Sequence, residues 1–190
     1  MSASRPRRPR RRARATAVGV FGALWLAGAT GAVAAVTQES PCVNFGRVSA
    51  GLYRGAEPDR DCLGHLAALG VRTVVNLRDE KDASEDEQAG VLALGMRYHS
   101  MPMSGFDRPS AIEVQRVLAI LKASENQPVF VHCKRGRDRT GVIVAAYRMT
   151  NDGWAADRAV KEAKDFGLAW WQFKMKKFLR DFDGNGAVEH

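Results

Sequence analysis

The chain has 190 residues, of which 45% are hydrophobic and 26% are charged, which is enough for one well-packed core. Its formal net charge of +8 is concentrated at the amino terminus, because seven arginines lie within the first 14 residues and the remainder holds 22 basic against 21 acidic residues. A body so close to neutral lacks the basic excess with which proteins bind a nucleic-acid backbone, so no nucleic-acid partner is expected.

The first predicted element is an uncharged segment, residues 15–38, which follows the arginine-rich start. The order of basic, apolar and small residues is typical of a secretory signal peptide, and we assign residues 1–36 to such a signal, cleaved near Ala34 or Ala35. The alternative is an uncleaved anchor that contacts the membrane through residues 15–38, since about 20 apolar residues can span a bilayer. Both interpretations keep the arginines in the cytoplasm and predict an exported, periplasmic or otherwise extracytoplasmic body.

The segment after the signal contains two of the three cysteines of the chain. We expect residues 37–47 to form a linker, residues 48–182 a single domain, and residues 183–190 a flexible tail. In an oxidising compartment, a disulfide between Cys42 and Cys62 would contribute about 3 kcal/mol by loop closure. Two separate buried thiols are an equally good interpretation. Since the chain has no Cys-x-x-C pair, no structural metal site is expected.

Strand-like and helix-like segments alternate from Val48 onward, which predicts a single-domain α/β fold with a central, mostly parallel sheet flanked by helices. The expected strands are residues 52–54, 71–77, 96–100 and 129–131. The expected helices are residues 58–69, 84–94, 109–123, 140–151, 154–166 and 170–182. The apolar residues of the last helix are interpreted as its packing face, and they are Trp170, Trp171, Phe173, Phe178 and Leu179.

The loop after the strand at residues 129–131 carries the most informative sequence, HCKRGRDRTG at residues 132–141. A loop between a buried strand and a helix directs backbone N–H groups and the positive end of the helix at one centre, which predicts an anion site. Such a site would lower the pKa of the Cys133 thiol and make it a nucleophile. Arg139 would grip two phosphate oxygens with its planar guanidinium group, and the Thr140 hydroxyl would donate to the departing sulfur.

The spacing Cys-x5-Arg-Thr-Gly, from Cys133 to Gly141, resembles the signature loop of the cysteine-dependent protein tyrosine and dual-specificity phosphatases. Further short motifs extend the resemblance to small exported bacterial dual-specificity phosphatases: Gly55 with Pro58, VRTVVNLR at 71–78, Pro102, Tyr147-Arg148-Met149 and Gly153-Trp154. The resemblance covers residues 48–179 and implies the dual-specificity-phosphatase-like fold. It also implies a phosphocysteine intermediate on Cys133 that water hydrolyses, with no metal and no cofactor.

Two acidic residues are candidates for the general acid that protonates the leaving oxygen. Asp107 lies in a turn-rich stretch 26 residues before Cys133, about where the family carries its mobile acid, and we favour it. Asp138 is the alternative, because some related lipid-directed phosphatases carry an aspartate immediately before the loop arginine. A purely structural interpretation makes Asp107 the N-terminal cap of the helix that starts near Pro109. His132 is interpreted as a structural residue that hydrogen-bonds the loop.

The expected substrate-binding residues are those of the loop itself: Lys134, Arg135, Gly136, Arg137, Asp138 and Arg139. The predicted enzyme is a monomeric phosphatase that acts on phosphotyrosine, and also on phosphoserine or phosphothreonine, in a phosphorylated protein. Because three further basic side chains lie in the loop, the alternative is a phosphoinositide or inositol-polyphosphate phosphatase, with a phosphorylated lipid or small molecule as substrate. A non-catalytic phosphate-binding protein is disfavoured because Cys133, Arg139 and Thr140 are all present.

Overall fold

The computed structural model of the protein describes residues 40–79 and 85–182. The strands in these ranges are β1 (Gly46–Ser49), β2 (Leu52–Ala56), β3 (Thr73–Asn76), β4 (Arg97–Ser100) and β5 (Val129–Cys133). The helices are α1 (Arg60–Ala68), α2 (Glu85–Ala93), α3 (Ala111–Lys122), α4 (Asp138–Asn151), α5 (Ala156–Asp165) and α6 (Phe173–Asp181). The expected signal or anchor segment and the expected tail lie outside the described residues. None of the helices in these two ranges has the length and hydrophobicity that a bilayer-spanning helix needs.

The strands form one sheet in the order β1-β2-β5-β3-β4. β1 is antiparallel to β2, whereas β2, β5, β3 and β4 are mutually parallel, so the predicted α/β fold with a mostly parallel sheet is confirmed. The sequence pattern does not predict β1, because Val48 is the only buried residue among its four. Ala56 pairs with Cys133, and Asn76 pairs with His132, so the loops after β2, β3 and β5 begin at one edge of the sheet.

Alternate side chains of the central strands pack into two apolar layers, one on each face of the sheet. Val75 and Val131 face the layer formed with α3, α4, α5 and α6. Val74 and Phe130 face the opposite layer, which includes residues of α1 and α2. The first half of α4 is buried on every side, so this helix anchors the end of the loop that precedes it.

A disulfide joins Cys42 to Cys62 in α1, which decides between the two interpretations of these cysteines. The segment predicted as a linker therefore contributes Cys42 to a covalent bond with the domain, and it also contributes Gly46 and Arg47 to β1. Between them, the carbonyl of Val43 accepts a hydrogen bond from the backbone N–H of Ala56 at 2.9 Å.

Candidate active site

The loop that carries Cys133 begins at the end of β5 and ends at Asp138, the first residue of α4. Cys133 is buried and is the one cysteine outside the disulfide. Gly136 has a φ of +66°, and a Cβ atom at this position would lie 2.5 Å from the carbonyl carbon of Gly55 in β2. Only glycine fits such a backbone at such a distance, so β2 fixes the shape of the loop from beneath.

The side chain of Arg139 is buried and held by two neighbouring loops. Its Nη1 atom donates to the carbonyls of Leu77 and Met103, both at 3.3 Å, and lies 3.7 Å from Oδ1 of Asp79. The guanidinium group is therefore oriented before any ligand arrives, which is the condition for a bidentate grip on phosphate oxygens. Oγ1 of Thr140 is buried and has no hydrogen-bond partner among the described residues.

A cavity of about 260 Å³ opens above the loop. Five of the predicted site residues line it, namely Cys133, Lys134, Arg135, Asp138 and Arg139. Asp79, Gly105, Phe106 and Trp171 complete the lining, and the residue-type pattern of the loop does not predict these four. Asp107, Gly136, Arg137 and Thr140 lie outside the lining, and Arg137 instead lines a larger cavity beside Asp165 and Phe166.

An aromatic wall, formed by Phe106 and Trp171, borders the cavity. The two rings are stacked at a centroid distance of 6.1 Å with an interplanar angle of 21°. Phe106 is 72% exposed and Trp171 is 42% exposed, so the wall is accessible to a ligand. The expectation that Trp170, Trp171 and Phe173 belong to the packing face of α6 is therefore wrong.

The reason is the position at which α6 begins. The helix starts at Phe173, so both tryptophans precede it and Phe173 occupies its exposed first turn. The residues of this segment that enter the core are spaced three or four apart, at Met175, Phe178, Leu179 and Phe182.

The carboxylate of Asp107 is exposed and bound by two side chains outside the cavity. Lys174 donates to Oδ1 at 2.9 Å, and the Ser104 hydroxyl donates to Oδ2 at 3.2 Å. The hydrogen bond and the charge of Lys174 hold the pKa of Asp107 below its usual value, and the bond from Ser104 acts in the same direction. Gly105 and Phe106, from the same loop, do line the cavity.

The interpretation of Asp107 as a helix cap is wrong. Ser110 is the N-cap of α3, because its side chain accepts from the N–H of Glu113 at 3.1 Å while the Glu113 carboxylate accepts from the N–H of Ser110 at 2.8 Å. This reciprocal pair is a capping box, and it leaves Asp107 without a capping role in α3.

Two further carboxylates line the cavity directly. Oδ1 of Asp138 accepts a hydrogen bond from the N–H of Ala169 at 2.9 Å, so this side chain ties the start of α4 to the loop after α5. Asp79 follows β3 and lies beside Arg139. Within the described ranges, no group of three or more His, Cys, Asp or Glu side chains is placed to hold a metal ion.

A buried polar cluster of Arg78, Glu87 and His132 lies behind the loop. Arg78 pairs with Glu87 and also with Glu57, and Nε2 of His132 lies 2.9 Å from Oε1 of Glu87. His132 was expected to contact the loop, but in the structure it contacts α2. The cause is strand alternation, which places the side chain of His132 on the same face as that of Phe130, 5.6 Å away between ring centroids.

Comparisons with known proteins agree with this geometry. The sequence profile described as "Tyrosine phosphatase family" matches residues 40–190. The dual specificity protein phosphatase TpbA of Pseudomonas aeruginosa is 36% identical over 129 residues, which cover 67% of this chain and 56% of TpbA. The inositol diphosphatase DSP5 of Arabidopsis thaliana is 30% identical over 148 residues, which cover 75% of this chain and 71% of DSP5.

A solved structure extends the similarity to three dimensions. The crystal structure of a P. aeruginosa TpbA variant in complex with phosphotyrosine matches with a TM-score of 0.66 and 31% identity, over 78% of this chain and 95% of that one. The sequence alignment with TpbA, however, spans little more than half of the length of TpbA. Because the family profile covers every residue that forms the sheet and the loop from Cys133 to Gly141, this chain belongs to the tyrosine phosphatase family.

Proposed function

We propose that this protein is a cysteine-dependent phosphomonoesterase that hydrolyses phosphotyrosine, together with phosphoserine or phosphothreonine, in phosphorylated proteins. The observation that carries the proposal is the cavity that unites Cys133 and Arg139 with the aromatic wall of Phe106 and Trp171. Such a cavity offers a nucleophile, an oriented cation and an apolar face to one phosphate ester.

The reaction proceeds in two displacements at phosphorus. The Cys133 thiolate attacks, a P–S bond forms and the ester P–O bond breaks, while the leaving oxygen takes a proton from a carboxylic acid. Water then attacks phosphorus and gives a proton to the carboxylate formed in the first step, the P–S bond breaks, and inorganic phosphate and the thiolate are released. Arg139 binds two non-bridging oxygens through both steps. The hydroxyl of Thr140, which has no hydrogen-bond partner in residues 40–79 and 85–182, donates to the sulfur as it leaves.

We assign the proton donor to Asp107, with Asp138 as the alternative. Asp107 belongs to the loop that supplies Gly105 and Phe106 to the cavity, and its own partners, Lys174 and Ser104, are exposed side chains. Asp138 is held instead by a backbone group, the N–H of Ala169. Asp107→Asn is expected to slow hydrolysis of an alkyl phosphate by about 100-fold and that of an ester with an acidic leaving group much less. Asp138→Asn is expected to change the rate of hydrolysis of both esters by the same factor. The assignment passes to Asp138 if the selective loss appears in that variant instead.

The aromatic wall favours phosphotyrosine among the phosphorylated side chains. A phenyl ring seated beside Phe106 and Trp171 would gain stacking and desolvation that an alkyl ester cannot. A second candidate function is hydrolysis of inositol polyphosphates or phosphoinositides, because Lys134 and Arg135 line the same cavity and would meet a second phosphate group. The inositol diphosphatase among the relatives supports keeping this candidate.

We also propose that the protein acts outside the cytoplasm, as the pattern of residues 1–36 indicates. The disulfide between Cys42 and Cys62 supports this location, since such bonds persist in oxidising compartments. Mass spectrometry of native material is expected to find a chain that begins near Ala35. An intact segment of residues 1–14 would favour the membrane anchor.

A substrate panel tests the proposed function. The kcat/KM for phosphotyrosyl peptides is expected to exceed that for phosphoseryl peptides, inositol hexakisphosphate and phosphoinositide vesicles by at least about tenfold. Cys133→Ser is expected to remove turnover and to keep phosphate binding, whereas Arg139→Lys weakens both because an ammonium group lacks the bidentate fork. A larger kcat/KM for the inositol phosphate would replace the proposal by the second candidate, and full activity of Cys133→Ser would refute the cysteine mechanism.

A further inference from the structure

The backbone carbonyls of the phosphate-binding loop are bound by groups outside it. The carbonyl of Lys134 accepts from the N–H of Glu57 at 3.5 Å, and that of Arg137 accepts from the N–H of Gly141 at 2.9 Å. The two carbonyls between them, of Arg135 and Gly136, are bound by side chains. A peptide whose carbonyl is held on one side presents its N–H on the other, so these outer bonds help to set the face that an anion meets.

Asn44 makes most of these side-chain bonds. Its Nδ2 atom donates to the carbonyl of Gly136 at 2.9 Å, to that of Phe166 at 3.1 Å and to that of Arg135 at 3.3 Å. One amide group therefore connects the loop to the end of α5. Asn44 has a φ of +51°, a conformation that asparagine tolerates better than most residues.

Arg54 donates to the same Gly136 carbonyl from β2, through Nη2 at 2.8 Å. It is 1% exposed, and its guanidinium carbon lies 3.9 Å from the centroid of the Phe166 ring. Burial lowers the pKa of Arg54 to about 10, so the group remains charged at neutral pH. A buried cation and a neutral amide thus converge on one carbonyl directly below the anion site.

Asn44 lies beside a disulfide bond, whereas Arg54 is positioned by the sheet. Arg54 is held by the β2 strand, which pairs with β5 along its whole length. Asn44 precedes β1 and lies two residues after Cys42, whose disulfide partner Cys62 is buried in α1. The disulfide holds Cys42, and the hydrogen bond from the Ala56 N–H to the Val43 carbonyl holds the peptide group next to Asn44.

We propose that Asn44 is a positioning residue of the phosphate-binding loop and that the Cys42–Cys62 disulfide holds it in place. By binding the carbonyls of Arg135 and Gly136, Asn44 orients the two peptide groups whose N–H groups belong to Gly136 and Arg137, so that these donors face the anion and the Cys133 thiolate. The proposal deepens the proposed function, because it assigns the residue that keeps the loop ready to bind phosphate.

The test measures anion binding and thiol reactivity rather than turnover on a chosen substrate. Asn44→Gly removes the donor and keeps the positive φ, and it is expected to raise the inhibition constant of inorganic phosphate by up to about tenfold, the scale of a lost hydrogen bond, while the Gly136 carbonyl keeps its bond from Arg54. Asn44→Asp places an acceptor against the three carbonyls of Arg135, Gly136 and Phe166 and is expected to raise the inhibition constant further. The midpoint pH for alkylation of Cys133 by iodoacetamide is expected to rise in both variants, because the thiolate loses stabilisation.

Asn126→Gly is the matched control, since Asn126 also donates to a backbone carbonyl, that of Ile120 at 3.0 Å, away from the loop. It is expected to leave both readouts unchanged. If the Asn44 variants are folded and their phosphate constants and alkylation midpoints equal those of the wild type, the positioning role is refuted. If the wild-type protein binds phosphate but does not hydrolyse phosphotyrosine, the proposed substrate is wrong and the positioning role of Asn44 is unaffected.

A double-mutant cycle tests the part played by the disulfide. Cys42→Ser/Cys62→Ser is expected to weaken phosphate inhibition less than Asn44→Gly does, and the two changes together are expected to cost less than the sum of their separate effects. Cys133 is then still the only thiol, so alkylation reports on the same group. Strict additivity, or no effect of the serine pair on phosphate inhibition, would refute the role of the disulfide.

Discussion

Gly136 is the position in the loop at which the backbone of β2 leaves no room for a side chain. An alanine here would combine a positive φ with a contact of 2.5 Å to the backbone of Gly55, and neither β2 nor β5 can move without breaking the sheet. Gly136→Ala is therefore expected to lower kcat/KM for an aryl phosphate by about 100-fold or more, the scale of losing oriented anion-binding donors.

Gly153→Ala is the control for this substitution. Gly153 has a φ of +67°, but a Cβ atom there meets nothing within 4 Å. The control is expected to lose roughly 1 to 2 kcal/mol of stability from its backbone conformation alone and to keep its kcat/KM. Equal effects of the two alanines on kcat/KM would mean that the close approach to Gly55 is unimportant.

Lys174 controls the protonation of Asp107, and this gives a pH prediction with a defined sign. A general acid works in its protonated form, so kcat falls as the pH rises through its pKa. Lys174 holds that pKa below the usual value. Lys174→Met removes the bond, raises the pKa of Asp107 towards its usual value, and is expected to move the falling limb of the kcat profile to higher pH.

The control comes from the same helix. Lys177 pairs with Asp181 at 2.9 Å and does not contact Asp107, so Lys177→Met is expected to leave the profile unchanged. If the falling limb stays in place in Lys174→Met, Asp107 is not the group that titrates, and the role of proton donor passes to Asp138.

At the scale of elements, hydrophobic periodicity and the positions of glycine predict most of the helices and strands. The helices and four of the five strands in the described ranges overlap the expected segments, because a glycine lies two residues after the end of each of α1, α2, α4 and α5. The loop after Cys133 and the start of α4, which carries Arg139, were predictable as well, since strand, loop and helix follow one another without a gap.

The elements that escaped prediction depend on distant contacts. β1 has one buried residue and gains its place by pairing with β2. Trp171 enters the cavity from a segment 38 residues after Cys133, and Asn44 contacts the loop of Cys133 from a segment 89 residues before it. No local sequence pattern predicts either residue. The fold alone brings Asn44 to the backbone carbonyls of the loop and Trp171 to the ring of Phe106.

Helix α3 offers a prediction at this scale, since its start decides where the loop of Asp107 ends. The capping box of Ser110 and Glu113 satisfies N–H groups that would otherwise lack partners. Ser110→Ala is expected to lower the free energy of unfolding by about 1 kcal/mol in urea denaturation, with kcat/KM nearly unchanged. A loss of kcat/KM without a loss of stability would instead assign Ser110 a part in placing the acid loop.

At the scale of the whole molecule, the proposed active site lies where the loops of a parallel sheet meet. β2 supports the loop, the turns after β3 and β4 orient Arg139, and the segment before α6 supplies one side of the aromatic wall. Because the site draws on parts of the chain from Asn44 to Trp171, its geometry depends on the complete domain rather than on the signature loop alone.

The disulfide closes one of these long-range connections, and its contribution to stability can be calculated from the length of chain that it restricts. Cys42 and Cys62 are 20 residues apart, and cross-linking a loop of this size lowers the entropy of the unfolded chain by an amount worth about 3 kcal/mol. Cys42→Ser/Cys62→Ser is therefore expected to lower the Tm by roughly 10 °C for a domain of this size. Differential scanning calorimetry measures this directly, with the Asn126→Gly variant as a control for a change that leaves the disulfide intact. An unchanged Tm would have one of two meanings. Either the segment before β1 stays ordered in the unfolded chain, or the other contacts of Val43 and Asn44 already provide the restraint that the disulfide adds.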